Sequence, residues 1–359
     1  MTTISEFQVK KDDLNQVRLT TRETDAIGEG EILVKVDRFA FTANNVTYGV
    51  VGERIGYWKF FPVAENGWGI IPVWGFADVI ESNCAEIPVG ERLYGYWPMA
   101  SHLVMRPAKV SDARLFDGAD HRAELPPVYN SYARVNAEPA YDAAMDDERM
   151  ALFPLYATSF CLYDFLKDND WFSAEQVIIP SASSKTAIGT AYAIKSDDAP
   201  PRLVGFTSPR NKAAVEALGL YDTVLTYDDD AVDTATPAVI VDMSGNGEVL
   251  GRLHKALGDN MKYTSNVGVT HYDANSMGPD FIRERSAMFF APGHIQKRTK
   301  EWGPGEFEKR AFAFWHEAAI KSRSWLAIQK ELGADAVERA YRDVLDGKAP
   351  ADMAWVVGF

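Results

Sequence analysis

The run Pro180-Ser-Ala-Ser-Ser-Lys-Thr-Ala-Ile-Gly189 gathers the side chains with the plainest chemical use. It follows a short apolar stretch, Gln176-Val-Ile-Ile179, and opens a segment with helical spacing. Small residues between a strand and a helix let backbone amides approach a phosphate, and a helix N-terminus favours negative charge. Ser181, Ser183, Ser184 and Thr186 add hydroxyls there, and Lys185 adds a cation. A dinucleotide turn ordinarily has glycine at three points for tightness and close approach. Here those points hold Ser181, Ser184 and Ala187. The same run also reads as a plain serine-capped helix start.

A second stretch gives independent support. The next apolar run ends at Phe206 and continues as Thr207-Ser-Pro-Arg-Asn-Lys212. In an open parallel sheet this position faces the adenosine ribose: a carboxylate there suits NAD, and Arg or Lys suits the 2′-phosphate of NADP. No acidic residue stands in this stretch, whereas Ser208, Arg210 and Lys212 do. The expected cofactor is therefore NADP(H). A surface helix start with solvated charges is the bland alternative.

These residues need elements to position them. From about residue 151, short apolar strands alternate with helices: strand 176–180, helix 185–195, strand 202–206, helix 211–218, strands 223–226 and 238–242, helix 248–257, strand 261–267, and a sixth strand at 286–290. That alternation predicts a parallel sheet with helices on both faces. Asp242 and Ser244 end its fourth strand and are expected beside the cofactor. Before residue 120 the chain is β-rich, with strands at 31–37, 75–81, 89–96 and 102–106 punctuated by Gly and Pro, which suggests a small barrel or sandwich. Residues 112–149 look irregular and acidic, and are read as an insertion or surface excursion. The tail reads as helical from Phe307 to about Leu345 and ends on the strand-like Ala354-Trp-Val-Val357.

Composition narrows the classes. The chain has 359 residues, enough for two domains, and a 47% hydrophobic share that supports a large core. Its net charge of -14 opposes binding to nucleic acid, and no basic patch offsets it. Two cysteines, Cys84 and Cys161, cannot build a disulfide scaffold or a zinc knuckle, so a reduced, cytoplasmic setting is expected. Neither a signal peptide nor an apolar run of membrane-spanning length is evident.

Several stretches resemble the medium-chain dehydrogenase/reductases, especially their zinc-free quinone and enoyl reductase branch. They are Val204-Gly-Phe-Thr-Ser-Pro-Arg-Asn-Lys-Ala-Ala-Val-Glu-Ala-Leu-Gly219, the segment Tyr221–Asp228, the tail Ala336–Lys348 with Trp355-Val-Val357, and, near the N-terminus, Gly28–Val36 and Pro88–Gly95. The Ser-Lys-Thr turn is similar to a divergent, uncharacterised subgroup. The resemblance implies a GroES-like barrel domain (1–150 and 310–359, with 112–149 inserted) and a Rossmann-type domain (151–309). Zinc-binding relatives carry a Cys ligand and a Gly-His-Glu where this chain has Phe39-Ala-Phe-Thr-Ala-Asn-Asn45 and Trp74-Gly-Phe-Ala-Asp78, so no metal is expected. Cys161 stands where the family often has Thr.

Further roles follow from the same resemblance. The family lines its substrate pocket after the first barrel strand, which points to Asn44, Asn45, Tyr48 and Tyr57; Asn45, Tyr48 and Tyr57 are the catalytic candidates, with packing as the alternative for the tyrosines. Asn266 falls near the expected nicotinamide, with His271 and Tyr272 just beyond. Gly293, His294 and Lys297 fall where the family often borders its pocket. The aromatic group Tyr57, Trp58, Phe60, Phe61, Trp68 and Trp74 is read as pocket wall or barrel core. The function implied is NADPH-dependent reduction of an activated alkene, quinone or carbonyl in the cleft between domains, by a homodimer acting on a small molecule. The alternatives are a catalytically altered ligand-binding protein on the same fold, or binding of another ligand such as an acyl-CoA without redox chemistry.

Overall fold

The structure is a computed structural model that describes residues 1–139, 141–229, 231–268 and 278–359. The chain divides into two compact units, Met1–Pro154 with Leu326–Phe359, and Leu155–Trp325. The division falls inside the helix Asp146–Asp168, at its internal proline. Proline removes one helical hydrogen bond and makes this a natural place for the chain to change partners.

The first unit is a GroES-like mixed sheet. Its strand order runs Ala327–Leu332, Met353–Gly358, Ile32–Phe41, Pro72–Ser82, Arg92–Pro98, Ser131–Arg134, Arg114–Asp117, Pro107–Ala108, with His102–Met105 also paired to Ile32–Phe41. A hairpin of Thr2–Lys10 and Asp13–Thr24, with Trp68–Gly69 paired to its first strand, forms a second, small sheet. Gly75 is required where two strands cross closely: a Cβ there would lie 2.3 Å from the Arg38 carbonyl oxygen.

Two expectations need correction. Residues 112–149 are no surface excursion. Ser131–Arg134 joins the sheet through Ala133 opposite Tyr94, and Leu115, Tyr132 and Val135 have no exposed surface. Arg122 and Asp117 are both almost fully buried and form an ion pair at 3.2 Å. Each strand has only four residues, too few for alternation to stand out among acidic neighbours. The second correction concerns the tail. It is broken after the helix Glu306–Ser322 by the strand Ala327–Leu332, which pairs in parallel with Met353–Gly358 before the helix Ala334–Leu345 begins. Ala-Ile-Gln-Lys-Glu-Leu reads as helix because an exposed edge strand shows no apolar face.

The second unit is the Rossmann-type sheet the sequence predicts. Its strands are all parallel, in the order Thr223–Thr226, Arg202–Thr207, Gln176–Pro180, Ala238–Asp242, Met261–Asn266, Ser286–Met288. Both faces of the central strands are buried: Val177 and Ile179 pack with Ala187, Ala191 and Leu162 on one side, and Ile178 and Ile240 with Leu250 and Leu253 on the other. This burial explains why these strands read as unbroken apolar runs. The helix Glu306–Ser322 belongs here, since Phe307 and Ala311 pack with Cys161; the first unit resumes at Leu326, where the sequence reading placed that return at residue 310. Asp170–Ser173 make a full turn of left-handed backbone without a glycine. Packing holds it, with the Phe172 ring stacked on Tyr263 at 4.2 Å.

Candidate functional site

The carboxyl ends of the parallel strands bring the sequence-predicted polar residues together. Gln176–Pro180 ends in the turn Ser181–Ser184, and the helix Lys185–Lys195 follows with Ser184 as its cap, accepting from the Ala187 N–H at 3.3 Å. Ser181 has a φ of +61°, in the left-handed region where a glycine would be at ease. Ser183 is tied to the end of the next strand: its hydroxyl oxygen accepts from Asn211 Nδ2 at 3.1 Å and from the Thr207 hydroxyl at 3.4 Å. Ser181, Ser183, Ser184, Lys185 and Thr186 all stay partly exposed around the buried Ala182. Gly189 keeps the glycine role of close helix packing, since a Cβ there would lie 2.5 Å from the Tyr156 ring.

Ser208, Arg210 and Lys212 occupy the turn after Arg202–Thr207. The Ser208 hydroxyl oxygen is buried and has no hydrogen-bond partner among the described residues. Arg210 is exposed and has no carboxylate partner among them. Lys212 lies 3.9 Å from Asp229, a loose surface pair. An orphan hydroxyl beside an uncommitted guanidinium is a donor set for an anion.

The fourth and fifth strand ends are more committed. Asp242 is fully buried; one carboxylate oxygen accepts from the Ser244 N–H at 2.9 Å and its hydroxyl at 2.6 Å, the other from the Gly245 N–H at 3.0 Å. Burial pushes its pKa up. It shapes the turn and presents no free charge. The Asp242 carbonyl accepts from the Val267 and Gly268 amides at 2.9 and 3.0 Å, and a Cβ on Gly268 would lie 2.5 Å from the Met243 carbonyl oxygen. Asn266 is buried and donates to the Ala287 carbonyl at 3.3 Å.

In the first unit, Tyr48 and Tyr57 meet with ring centroids 4.5 Å apart. The Tyr57 hydroxyl lies 3.0 Å from that of Tyr129, and the Tyr48 hydroxyl accepts from Trp74 Nε1 at 3.3 Å. Tyr96, with no exposed surface, packs 4.7 Å from Tyr129, and its hydroxyl has no partner among the described residues. Burial raises the pKa of all four phenols, so each is neutral at physiological pH and able to donate. Asn45 is occupied in capping: its side-chain oxygen accepts from the Thr42 N–H at 2.8 Å and its amide donates to the Pro72 carbonyl at 3.0 Å. Tyr57, Trp58, Phe60 and Phe61 are buried, while Trp68 and Trp74 are half-buried. Sequence reading missed Tyr96 and Tyr129. The signal for Tyr96 was its alternation with Tyr94 on one strand; Tyr129 comes from the segment taken for a surface excursion.

His294 is bound up in an ion network. Its Nε2 is 2.5 Å from Asp164, which also takes Arg298 at 2.5 Å, while Lys297 pairs with Asp168. Cys161 is fully buried, and burial pushes its thiol well up, away from reactivity. His271 and Tyr272 lie outside the described residues. Among the described residues no group of three or more His, Cys, Asp and Glu is placed to hold a metal ion, and no helix is long and apolar enough to cross a membrane.

A GroES-like unit joined in one chain to a Rossmann-type unit, with small polar residues at the strand ends, is the fold of the medium-chain dehydrogenase/reductases. Solved structures share it. CurA in complex with NADPH from Vibrio vulnificus matches with a TM-score of 0.63 at 13% identity over 99% of both chains. The mycobacterial protein Rv1454c, complexed with NADPH, matches with a TM-score of 0.60 at 14% identity over 99% of this chain and 100% of that one. The quinone oxidoreductase from Coxiella burnetii matches with a TM-score of 0.58 at 12% identity over the whole of both chains. Among curated proteins none matches the sequence. Over residues 39–350 the chain matches the model of a protein family of unknown function (DUF2855), and it belongs to that family.

Proposed function

We propose that the protein is a zinc-independent, NADPH-dependent oxidoreductase that reduces an activated alkene, quinone or carbonyl. The observation that carries this reading is the turn after the second parallel strand, where the orphaned Ser208 hydroxyl and the exposed Arg210 stand with no carboxylate in the stretch. Such a donor set fits a 2′-phosphate and lacks the acid that would hold a 2′-hydroxyl. The Ser181–Thr186 turn fits the pyrophosphate: small, partly exposed, hydroxyl-rich and at a helix N-terminus. Two of the fold relatives were solved with NADPH, and a third is a quinone oxidoreductase, which agrees with the donor set.

Bound NADPH would supply the hydride. This chain's residues would bind it through Ser183, Ser184, Lys185, Thr186, Ser208 and Arg210, with Ser181, Thr207, Asp242, Ser244 and Asn266 shaping the turns. Tyr57 is the proposed proton donor: its phenol is neutral, and its hydrogen bond to Tyr129 connects it to a second phenol. Tyr48 supports its ring, and Asn45 fixes the start of the helix Ala43–Val50.

The test is titration of the purified protein with NADPH and with NADH, followed by tryptophan fluorescence. The expected result is clear preference for NADPH, falling by about 1–3 kcal/mol in Arg210→Ala, as for a lost charge-assisted contact. Folded protein that binds neither nucleotide at millimolar concentration sinks the reading.

A further inference from the structure

A dinucleotide turn without glycine must obtain its shape from somewhere else. Ser181 has φ +61°. For a residue with a Cβ, left-handed backbone is strained and persists only where the surroundings over-determine it. The surroundings here are specific. The Ser181 N–H donates to the Tyr227 hydroxyl at 2.9 Å. Its carbonyl accepts from the Ser184 N–H at 2.9 Å, and the Ala182 N–H donates to the Phe206 carbonyl at 2.8 Å. Tyr227 follows the strand Thr223–Thr226, two strands away from the turn in the sheet order. It is itself anchored, its N–H donating to the Thr207 carbonyl at 3.2 Å and its carbonyl accepting from Arg252 at 2.5 Å.

We propose that Tyr227 is a positioning residue for the nucleotide turn: its hydroxyl holds Ser181 in the left-handed conformation and so takes over the part a glycine would play. The phenol engages the Ser181 amide. That leaves the rest of the turn, Ser183 to Thr186, partly exposed for a phosphate. The lost conformational freedom is thus supplied by a residue from two strands away. The inference rests on the nucleotide-binding reading above for its consequence, though not for its structural content.

The experiment is a two-by-two cycle on the full-length protein: wild type, Tyr227→Phe, Ser181→Gly and the double variant. NADPH affinity is read by fluorescence, and amide exchange at residue 184 by NMR. Tyr227→Phe keeps the ring and removes only the hydroxyl, and is expected to weaken NADPH binding about five-fold, the effect of one net hydrogen bond. It is also expected to speed exchange of the Ser184 amide, which reports the Ser181–Ser184 contact. In the Ser181→Gly background the same change is expected to cost less than about two-fold, because glycine adopts the conformation unaided.

Unchanged affinity and unchanged Ser184 exchange in Tyr227→Phe overturn the proposal. Equal losses in both backgrounds also overturn it, since the hydroxyl would then act in some way unrelated to the backbone of residue 181. Should wild type fail to bind NADPH, the functional reading falls by itself, and the pattern of Ser184 exchange across the four proteins still decides the role of Tyr227. If Tyr227→Phe does not fold, the double variant and Ser181→Gly retain the comparison: recovery of folding and binding by glycine supports the proposal, and failure to recover overturns it.

Discussion

His254 is fully buried on the helix Gly247–Leu257, and its surroundings fix its charge. Its Nδ1 accepts from the Ile282 N–H at 2.9 Å, and its Nε2 lies 3.0 Å from the Thr264 hydroxyl. The Thr264 hydroxyl hydrogen goes to Met261, so Nε2 is the donor and the ring is neutral. Burial, with the nearby Arg285 guanidinium, pushes its pKa down to about 4 from 6.5. The unfolded chain therefore takes up a proton that the folded one refuses. The stability held above pH 6.5 is lost as the pH falls toward about 4. The urea midpoint should drop between pH 7 and pH 5 in wild type, and a His254→Gln variant should show a smaller drop; equal pH dependence in both would refute the assignment. Nothing in the sequence marks this histidine, because its partners are 10 and 28 residues away. The same limit applies across the candidate site. Ser181–Thr186 and Ser208–Lys212 were legible because residue type and position after a strand define them. Tyr96, Tyr129 and Tyr227 were not, because their meaning lies in contacts across strands.

At the scale of elements, the helix Ala291–Trp302 is held to the helix Asp146–Asp168 by two acids, Asp164 and Asp168. Asp164 accepts from His294 at 2.5 Å and from Arg298 at 2.5 and 3.1 Å, and Arg298 also reaches Asp168 at 2.9 Å. Burial raises the Asp164 pKa, but the hydrogen bonds from His294 and Arg298 outweigh it and hold the carboxyl below the usual range. Removing the acid leaves a nearly buried guanidinium without its main partner. Asp164→Ala should therefore cost about 2–3 kcal/mol in denaturant unfolding, the range for hydrogen bonds to charged groups. NADPH affinity should stay unchanged, because this network braces helices; a loss of affinity without a loss of stability would give His294 back the pocket role that the resemblance suggested. The parallel-sheet elements were nearly all visible in the sequence, since each strand is buried on both faces and reads as a short apolar run bounded by turns. The failures were Arg114–Asp117, Ser131–Arg134 and Ala327–Leu332. All are short or lie at a sheet edge, where the partner strand decides the conformation and the local pattern says little.

For the whole molecule, charge and the open edge of the parallel sheet pull in opposite directions. Among the described residues no strand pairs with the outer side of Ser286–Met288, and Met288 and Phe290 are 40% and 39% exposed beside it. An uncovered edge with apolar side chains is a template for pairing, and in a soluble protein it is normally covered or charged. Pairing of two copies through this edge about a two-fold axis would cover it in both at once. Against this, each chain carries a net charge of -14, so two copies repel. Salt screens charges spread over a surface within about 8 Å at physiological ionic strength, whereas apolar contact is not weakened by it. The balance should therefore shift toward association as salt rises. The expected result in sedimentation equilibrium is a homodimer whose dissociation constant falls between about 20 mM and 200 mM salt. Met288→Lys, which places a new charge at the axis in both copies, should weaken it at least about ten-fold. A monomer at every ionic strength, or a dimer indifferent to Met288→Lys, would mean that this edge does not pair two copies and that the homodimer expected from the family resemblance does not form through it.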